Sequence, residues 1–328
     1  VASHLLAARP DAAAALFGGA RFVPDIASLQ GWIEAAWAAG FDAPGAAQLG
    51  GGLRGTQTWI GATEAAACLR QFGLRAAIAD FGVALDGAAV RAAPTDVGLG
   101  LGGQEVHAGV ACSGCGAAPI IGARYRSEVL PGADYCSRCA APGGAAAATG
   151  VAAPLRRVPV LAYRSPAATA AKAAGASTAG QALLEWCWRY FRAAAGGSGA
   201  AGAPDLGAAA GGVRCTAAAP LFFQHQGHSR AIVGVERRPG AGAAGAAGGA
   251  ELSLLVLDPG TPPAALEAAL AAGGAGGGAW RGLLRRTARA LTHPAYQLVY
   301  VAVAELEAPG SAAFEELKVV AASERYAT

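Results

Sequence analysis

The sequence predicts an α+β fold interrupted by one insert, and three observations carry that expectation. Segments with helical spacing and segments with strand character follow one another in mixed order: helix, helix, strand, insert, helix, strands, helix, strand. Two apolar runs, Ala231 to Val235 and Leu252 to Leu257, frame a Gly/Ala-rich loop, the pattern of an antiparallel hairpin. From Gly82 to about Ser177 the composition shifts, and four cysteines stand there as two close pairs between Gly/Ala-rich flanks.

Each element has a local reason. Val1 to Leu16 has apolar residues at helical spacing and a break at Pro10. Phe22 to Asp25 reads as an extended or turn piece, and either Asp25 or Ser28 can cap the helix that follows. In that helix Leu29, Trp32, Ile33, Ala36 and Trp37 form one buried face, and Gly40 is a stop. After a glycine loop at Gly50 to Gly52, Trp59 to Glu64 opens another helix, with Thr63 as a candidate cap. It runs to Phe72 and ends at Gly73, and Leu74 to Phe81 reads as a strand. Beyond the insert, Gln181 to Arg192 returns to an amphipathic helix, and a Gly/Ala/Pro linker from Ala193 to Gly212 leads to Pro220-Leu221-Phe222-Phe223 and the hairpin. A helix around Leu266 to Leu270, a basic helix from Trp280 to Leu291 and a last strand from Tyr296 to Val303 complete the pattern. The residues after Ala308 read as a peripheral tail. The expected organisation is therefore residues 1–81 and 178–308 as two parts of one domain, an insert at 105–141 and a tail at 309–328.

Composition excludes several classes. The hydrophobic fraction of 54% is inflated by alanine in Ala/Gly tracts, which bury too little area to offset chain entropy and read as loops. A formal net charge of +3, scattered along 328 residues, gives no basic stripe for nucleic acid. No apolar run reaches membrane-spanning length, and Arg9 and Asp11 interrupt any signal-peptide pattern. Seven cysteines, an odd number with four in close pairs, point to reduced thiols and metal binding in the cytoplasm or nucleus. The chain contains no methionine and starts at Val1, in the middle of an uncapped helical pattern, which leads one to expect a processed chain or a fragment.

Two candidate sites emerge. In Gln224-His225-Gln226-Gly227-His228-Ser229-Arg230 a strand begins just after His228, and the partner strand ends at Asp258, in Leu257-Asp258-Pro259-Gly260. Antiparallel pairing brings His228 and Asp258 to the same end, and an Asp beside a His is the orienting half of a nucleophilic triad. His225 reads as a packing or substrate-side histidine, and Gln224 as a side chain able to donate to substrate. The second site is Cys112-x2-Cys115 with Cys136-x2-Cys139, four sulfurs that suit one tetrahedral zinc ion.

The residues around those cysteines, from His107 through Arg124-Tyr125-Arg126 to Asp134-Tyr135-Cys136, resemble a ZZ-type zinc finger. That family is cross-braced: the first and third cysteine pairs share one zinc, and the second pair with a late histidine pair shares another. Here Ser127 and Leu130 stand where the second pair belongs, and no histidine follows Cys139 within reach. The resemblance thus implies one structural zinc, held by Cys112, Cys115, Cys136 and Cys139. Ser113 replaces an aspartate with which ZZ fingers often read free N-termini.

The remainder resembles the Ufm-specific-protease-like cysteine peptidases, and within them the ZUFSP-type deubiquitinases. Four stretches carry the resemblance: Leu29 to Trp37 with Gly40-Phe41-Asp42; Trp59 to Glu64 through Asp80-Phe81; Leu221 to Arg230; and Leu252 to Gly260, with Tyr296-Gln297-Leu298 weaker. It implies a papain-like α+β fold, His228 as catalytic base, Asp258 as its orienting acid, and ubiquitin or ubiquitin-like conjugates as partners. Gly260 after Pro259, where modifier-directed relatives carry a second histidine, favours ubiquitin. The family's nucleophile lies in a Gly-Cys-Gly-Tyr-Arg-Asn stretch, at a helix N-terminus that lowers thiol pKa, and its place falls roughly ten residues before Val1. Four of the seven cysteines here are assigned to zinc; Cys68 and Cys187 lie on helices and Cys215 in the linker. The expectation is a chain inactive as given. Two other readings stand beside it: a non-catalytic ubiquitin- or peptide-binding protein, and a protease for the ubiquitin-fold modifier.

Overall fold

Successive residues of a strand point to opposite sides of a sheet, and the strand Ala76–Val83 uses both sides. Ala76 and Ile78 belong to one apolar core; Ala77, Ala79 and Phe81 belong to another. The computed structural model describes residues 1–83, 91–92, 106–107, 110–117, 120–121, 124–127, 129–141, 143–148, 155–158, 163–164, 178–196, 215–216, 218–238, 251–272, 278–301, 306–320 and 322–327. Most of the expected Gly/Ala linker, the hairpin loop at 239–250, the glycine tract at 273–277 and the strand end at 302–303 lie outside these residues.

The N-terminal region is helical: α1 Ala2–Ala8, α2 Pro10–Ala15, α3 Ile26–Ala38, α4 Ala43–Gln48 and α5 Ala62–Arg70. Pro10 sits at the first position of α2, where its missing N–H costs nothing. Asp25, and not Ser28, caps α3 by accepting from the Ser28 N–H at 2.8 Å. The cap of α5 is Gly61 rather than Thr63: Glu64 reaches back to accept from the Gly61 N–H at 2.6 Å. Strand β1, Ala76–Val83, follows.

Across the insert and its flanks lie β2 Arg91–Ala92, β3 Val106–His107, β4 Ile120–Ile121, β5 Arg124–Ser127, β6 Asp134–Cys136, α6 Ser137–Ala140, α7 Ala145–Ala148, β7 Leu155–Val158 and β8 Tyr163–Arg164. After it come α8 Thr178–Gly196, β9 Leu221–His225, β10 His228–Arg238, β11 Glu251–Leu257, α9 Pro263–Ala271, α10 Ala279–Leu284, β12 Arg285–Thr287, β13 Tyr296–Val301, α11 Ala312–Glu316 and β14 Ala322–Ala327. Nine strands form the main sheet in the order β12-β11-β10-β9-β13-β1-β14-β8-β2. Helix α8 covers one face with Leu183, Leu184, Trp186 and Tyr190, against Phe81, Leu221, Phe223, Ile232, Leu254 and Leu298. Helices α1, α2, α3 and α5 cover the other face, against Ile78, Val299 and Val301. The described residues thus make an α+β arrangement with the sheet between two helical layers. No described helix is long and apolar enough to cross a membrane.

Two expectations need correction. The basic stretch 280–291 is not one helix: it turns at Arg285, and Arg285–Thr287 pairs with Ser253–Leu255 as an edge strand. Pairing with an open strand edge satisfies backbone groups that a continued helix would have satisfied within itself, so tertiary context decides. The segment after Ala308 is not peripheral. Strand β14 lies inside the sheet, parallel to both β1 and β8. Glu324 on it accepts from Trp186 Nε1 at 2.8 Å, Tyr300 OH at 2.6 Å and Tyr326 OH at 2.7 Å. Phe314 stacks edge-on against Phe41 at 5.5 Å, and Arg70 donates to the carbonyls of Leu317 and Val319. Three aromatic donors converging on one carboxylate hold a sequence that looks polar and solvent-facing.

Candidate functional site

The hairpin site starts from a two-residue turn. Leu221–His225 and His228–Arg238 pair antiparallel, with His225 opposite His228. Both residues of the turn are left-handed, Gln226 at φ 47° and Gly227 at φ 78°. That geometry matches the right-handed twist of the flanking strands and calls for glycine at 227. A Cβ on Gly227 would also stand 2.7 Å from the Trp59 ring. Trp59 is 71% exposed, and its ring centroid lies 6.1 Å from that of His228.

The neighbouring pair β10–β11 sets the acid. Ala231 faces Leu257, which puts Arg230 opposite Asp258 and His228 two positions farther along the same strand. Residues two apart share a face, so His228, Arg230 and Asp258 gather at one end of the sheet. His228 and Asp258 are close in that sense, yet no hydrogen bond joins them. Asp258 Oδ2 instead accepts from Arg230 Nε, and Oδ1 accepts from the Gly260 N–H at 2.9 Å. The Arg230 hydrogen bond holds the Asp258 carboxyl below its ordinary range.

Arg230 makes a second contact, with Nη1 lying 2.7 Å from His225 Nε2. The His225 ring stacks on His293 with centroids 4.2 Å apart, and its Nδ1 is buried without a partner. Burial, with the neighbouring His293 and Arg230 charges, pushes the His225 imidazole down to about 4. His225 is therefore a neutral packing residue. The Gln224 side-chain amide lies beside Gly61, and its Oε1 is buried and unpartnered. Trp59, Arg230 and His293 were not singled out from sequence. The short Gln-Gly turn was the available signal for Trp59, since a two-residue turn needs a glycine that leaves room for a neighbour.

The cysteine site is assembled locally. The sulfurs of Cys112, Cys115, Cys136 and Cys139 all lie within 4.8 Å of one another, and those of Cys115 and Cys136 are 3.8 Å apart. Zinc–thiolate bonds of about 2.3 Å in a tetrahedron require sulfurs about 3.8 Å apart, so the set fits zinc. The turn is shaped for it: the Cys136 N–H donates to Cys112 Sγ at 3.3 Å, and a Cβ on Gly114 would stand 3.0 Å from Cys139 Sγ. The Ala117 N–H, then Cys112 and Arg138, pull the Cys115 thiol down to about 6, which favours the ligating thiolate. Ser127 occupies the other expected cysteine position. Its Oγ accepts from the N–H groups of Val129 at 3.2 Å and Leu130 at 2.9 Å, closing the turn by hydrogen bonding alone. Asp134 accepts from both Arg124 and Arg126 and ties β5 to β6. Among the described residues this is the one cluster able to hold a metal.

The other cysteines are placed apart. Cys68 and Cys187 are buried and Cys215 is exposed. Burial pushes the Cys68 thiol up to about 12 and raises that of Cys187 further. None hydrogen-bonds with His228 among the described residues.

Comparison with known proteins bears on both sites. A family model described as peptidase family C78 matches residues 1–97 and 160–299, and one described as zinc finger, ZZ type, matches residues 106–143. The zinc finger-containing ubiquitin peptidase 1 of Rattus norvegicus is 25% identical over 279 residues, 85% of this chain and 29% of that protein. Its counterparts in Mus musculus and Homo sapiens are 24% and 23% identical, with the same coverage. The chain spans 29% of the length of these relatives.

Proposed function

The chain belongs to peptidase family C78, with a ZZ-type zinc finger set within the peptidase domain, and from that premise we propose that it forms most of a papain-like, thiol-dependent isopeptidase that removes ubiquitin from proteins. The observation that carries this reading is the β10–β11 register, which brings His228 and Asp258 to one end of the sheet beside the exposed Trp59. In the reaction, His228 takes the proton of an attacking thiol and later returns it to the leaving amine. Asp258 orients the ring and stabilises the imidazolium. With Oε1 buried, Gln224 has its NH2 group left to donate to the substrate. Gly260 after Pro259 supports ubiquitin over the ubiquitin-fold modifier. Names of relatives that include a ubiquitin peptidase support the same substrate class.

The reading assigns the nucleophile to a cysteine outside these residues. Four of the seven cysteines fit zinc, two more are buried thiols that resist ionisation, and the seventh, the exposed Cys215, makes no hydrogen bond with His228 among the described residues. The 328 residues by themselves then supply base and acid but hydrolyse nothing. Zinc binding rests on the four-cysteine cluster, and we assign it a single ion, because Ser127 and Leu130, where a second ligand pair would stand, offer no thiolate. The zinc braces the insert and takes no part in the reaction. Thiolate ligands stay reduced in the cytoplasm and nucleus, where we place the protein.

A panel of activity-based probes tests the reading, applied to the chain alone and to a longer form in which a Gly-Cys-Gly-Tyr-Arg-Asn stretch precedes it. The expected result is labelling by the ubiquitin probe in the longer form only, abolished by His228→Ala, with no labelling by the modifier probe. Labelling by the modifier probe in place of the ubiquitin probe would overturn the substrate assignment. Labelling of the 328 residues alone would overturn the placement of the nucleophile.

A further inference from the structure

The mechanism above uses His228 and Asp258 but not the side chain between them. Arg230 stands one residue beyond the Ala231–Leu257 pair of β10 and β11 and opposite Phe223 in the β9–β10 pair, so its base is set by strands on both sides. Its guanidinium reaches two acceptors at once: Nε donates to Asp258 Oδ2, and Nη1 meets His225 Nε2 at 2.7 Å. Guanidinium is a donor only, so His225 Nε2 must be the acceptor and the ring proton must sit on Nδ1. That fixes His225 as a neutral imidazole with its lone pair occupied. Of the two histidines bracketing the turn, His225 is thereby removed as a base, and His228 has no competing partner among the described residues.

The same fork fixes the acid. A carboxylate accepts about four hydrogen bonds. Arg230 and the Gly260 N–H take one on each oxygen, which stops rotation of the group and leaves further acceptor sites for an imidazole N–H. We propose that Arg230 is a positioning residue of this site, holding the Asp258 carboxylate in place for His228 while locking His225 out of base chemistry. Lysine cannot replace it, because a single ammonium cannot span two acceptors in the plane of a fork. The proposal rests on the assignment of His228 and Asp258 as base and acid.

The test separates the two. The chain has five histidines, so imidazole carbon signals in a histidine-labelled sample can be followed one by one against pH, assigned with His225→Gln and His228→Gln. The charged and titratable groups around the pair are His225 on β9, Arg230 on β10, His293 before β13, and Arg286 on β12, which acts on Asp258. The effect of Asp258→Asn on the His228 imidazole signals is measured across the same pH range in the wild-type, Arg230→Lys and Arg230→Ala backgrounds. Loss of an oriented neighbouring carboxylate should displace the His228 signals in the wild type. In either Arg230 variant the same substitution should displace them by less than half as much. No effect of Asp258→Asn in the wild type would sink the base–acid assignment itself. An equal effect in all three backgrounds would leave that assignment standing and overturn the role of Arg230. If Arg230→Ala does not fold, Arg230→Lys, which keeps the charge and loses the fork, decides by the same criterion.

Discussion

The cysteine site draws its four sulfurs from one stretch, Cys112 to Cys139, whereas the hairpin site gathers Trp59, His225 to Arg230, Asp258 and His293 from across the chain. In the first, backbone turns put the ligands in place: the Cys136 N–H on Cys112 Sγ and the close approach of Gly114 to Cys139 both clip the two turns of that stretch together. In the second, sheet register does the placing, and that register depends on strands as distant as β13 and β14. A local site should fail alone. A site built on register should fail with the core.

Loss of a zinc ligand should be the most damaging change, and it should stay within the cysteine site. Cys112→Ser removes one of four thiolates, and a structural zinc contributes on the order of 10 kcal/mol to the folding of a small finger. Metal content measured by mass spectrometry should fall from one zinc per chain to none, and the insert should lose its fold while the core melts as before. Two zincs per wild-type chain would show that the Ser127 turn has not replaced the second site. If the core melted with the insert, the two sites would not be independent.

The next effect is the converse. Glu324 accepts from Trp186, Tyr300 and Tyr326 and pins β14 into the sheet that carries the hairpin. Hydrogen bonds to a charged acceptor each contribute about 1.5–3 kcal/mol, and Glu324→Ala leaves three donors without it. A loss of about 3 kcal/mol or more in denaturant unfolding of the core is expected, with zinc content unchanged. A loss below about 1 kcal/mol would mean that register is held elsewhere.

The same contrast explains what the sequence could disclose. The cysteine spacing is a local signal and was legible complete, as were the helical stripe of Leu29 to Trp37 and the pairing of the Ala231 and Leu252 runs. The edge strand at Arg285–Thr287 was not legible, because the sequence around it has helical composition and only an open strand at Ser253–Leu255 recruits it. Strand β14 was hidden for a related reason: Ser323, Glu324 and Arg325 are polar in sequence, and only the donors Trp186, Tyr300 and Tyr326 make the half-buried Glu324 part of the sheet. At the hairpin, His228 and Asp258 could be placed together by strand geometry, but Arg230 could not be seen as the partner of Asp258. That contact needs the register to one residue, and a shift by one would have turned its side chain to the other face.

A weaker consequence concerns His225, inside the register-built site. His225 is pushed down to about 4 by burial and by the His293 and Arg230 charges, while an unfolded histidine titrates near ~6.5. Above ~6.5 both states hold a neutral ring, and its contribution to stability is whole. As pH falls below that value the unfolded chain takes up a proton that the folded ring refuses, so stability drops, and the contribution is gone below about 4. His225→Phe keeps an aromatic ring against His293 and Tyr296 but cannot titrate. Denaturant midpoints for the core, measured from pH 7 to pH 5, should therefore fall less steeply in the variant than in the wild type, while every other titrating group cancels between the two curves. Parallel curves would show that the folded His225 accepts a proton as readily as the unfolded one. Arg230 would then have to release its Nε2, and the fork that separates the two histidines would not hold.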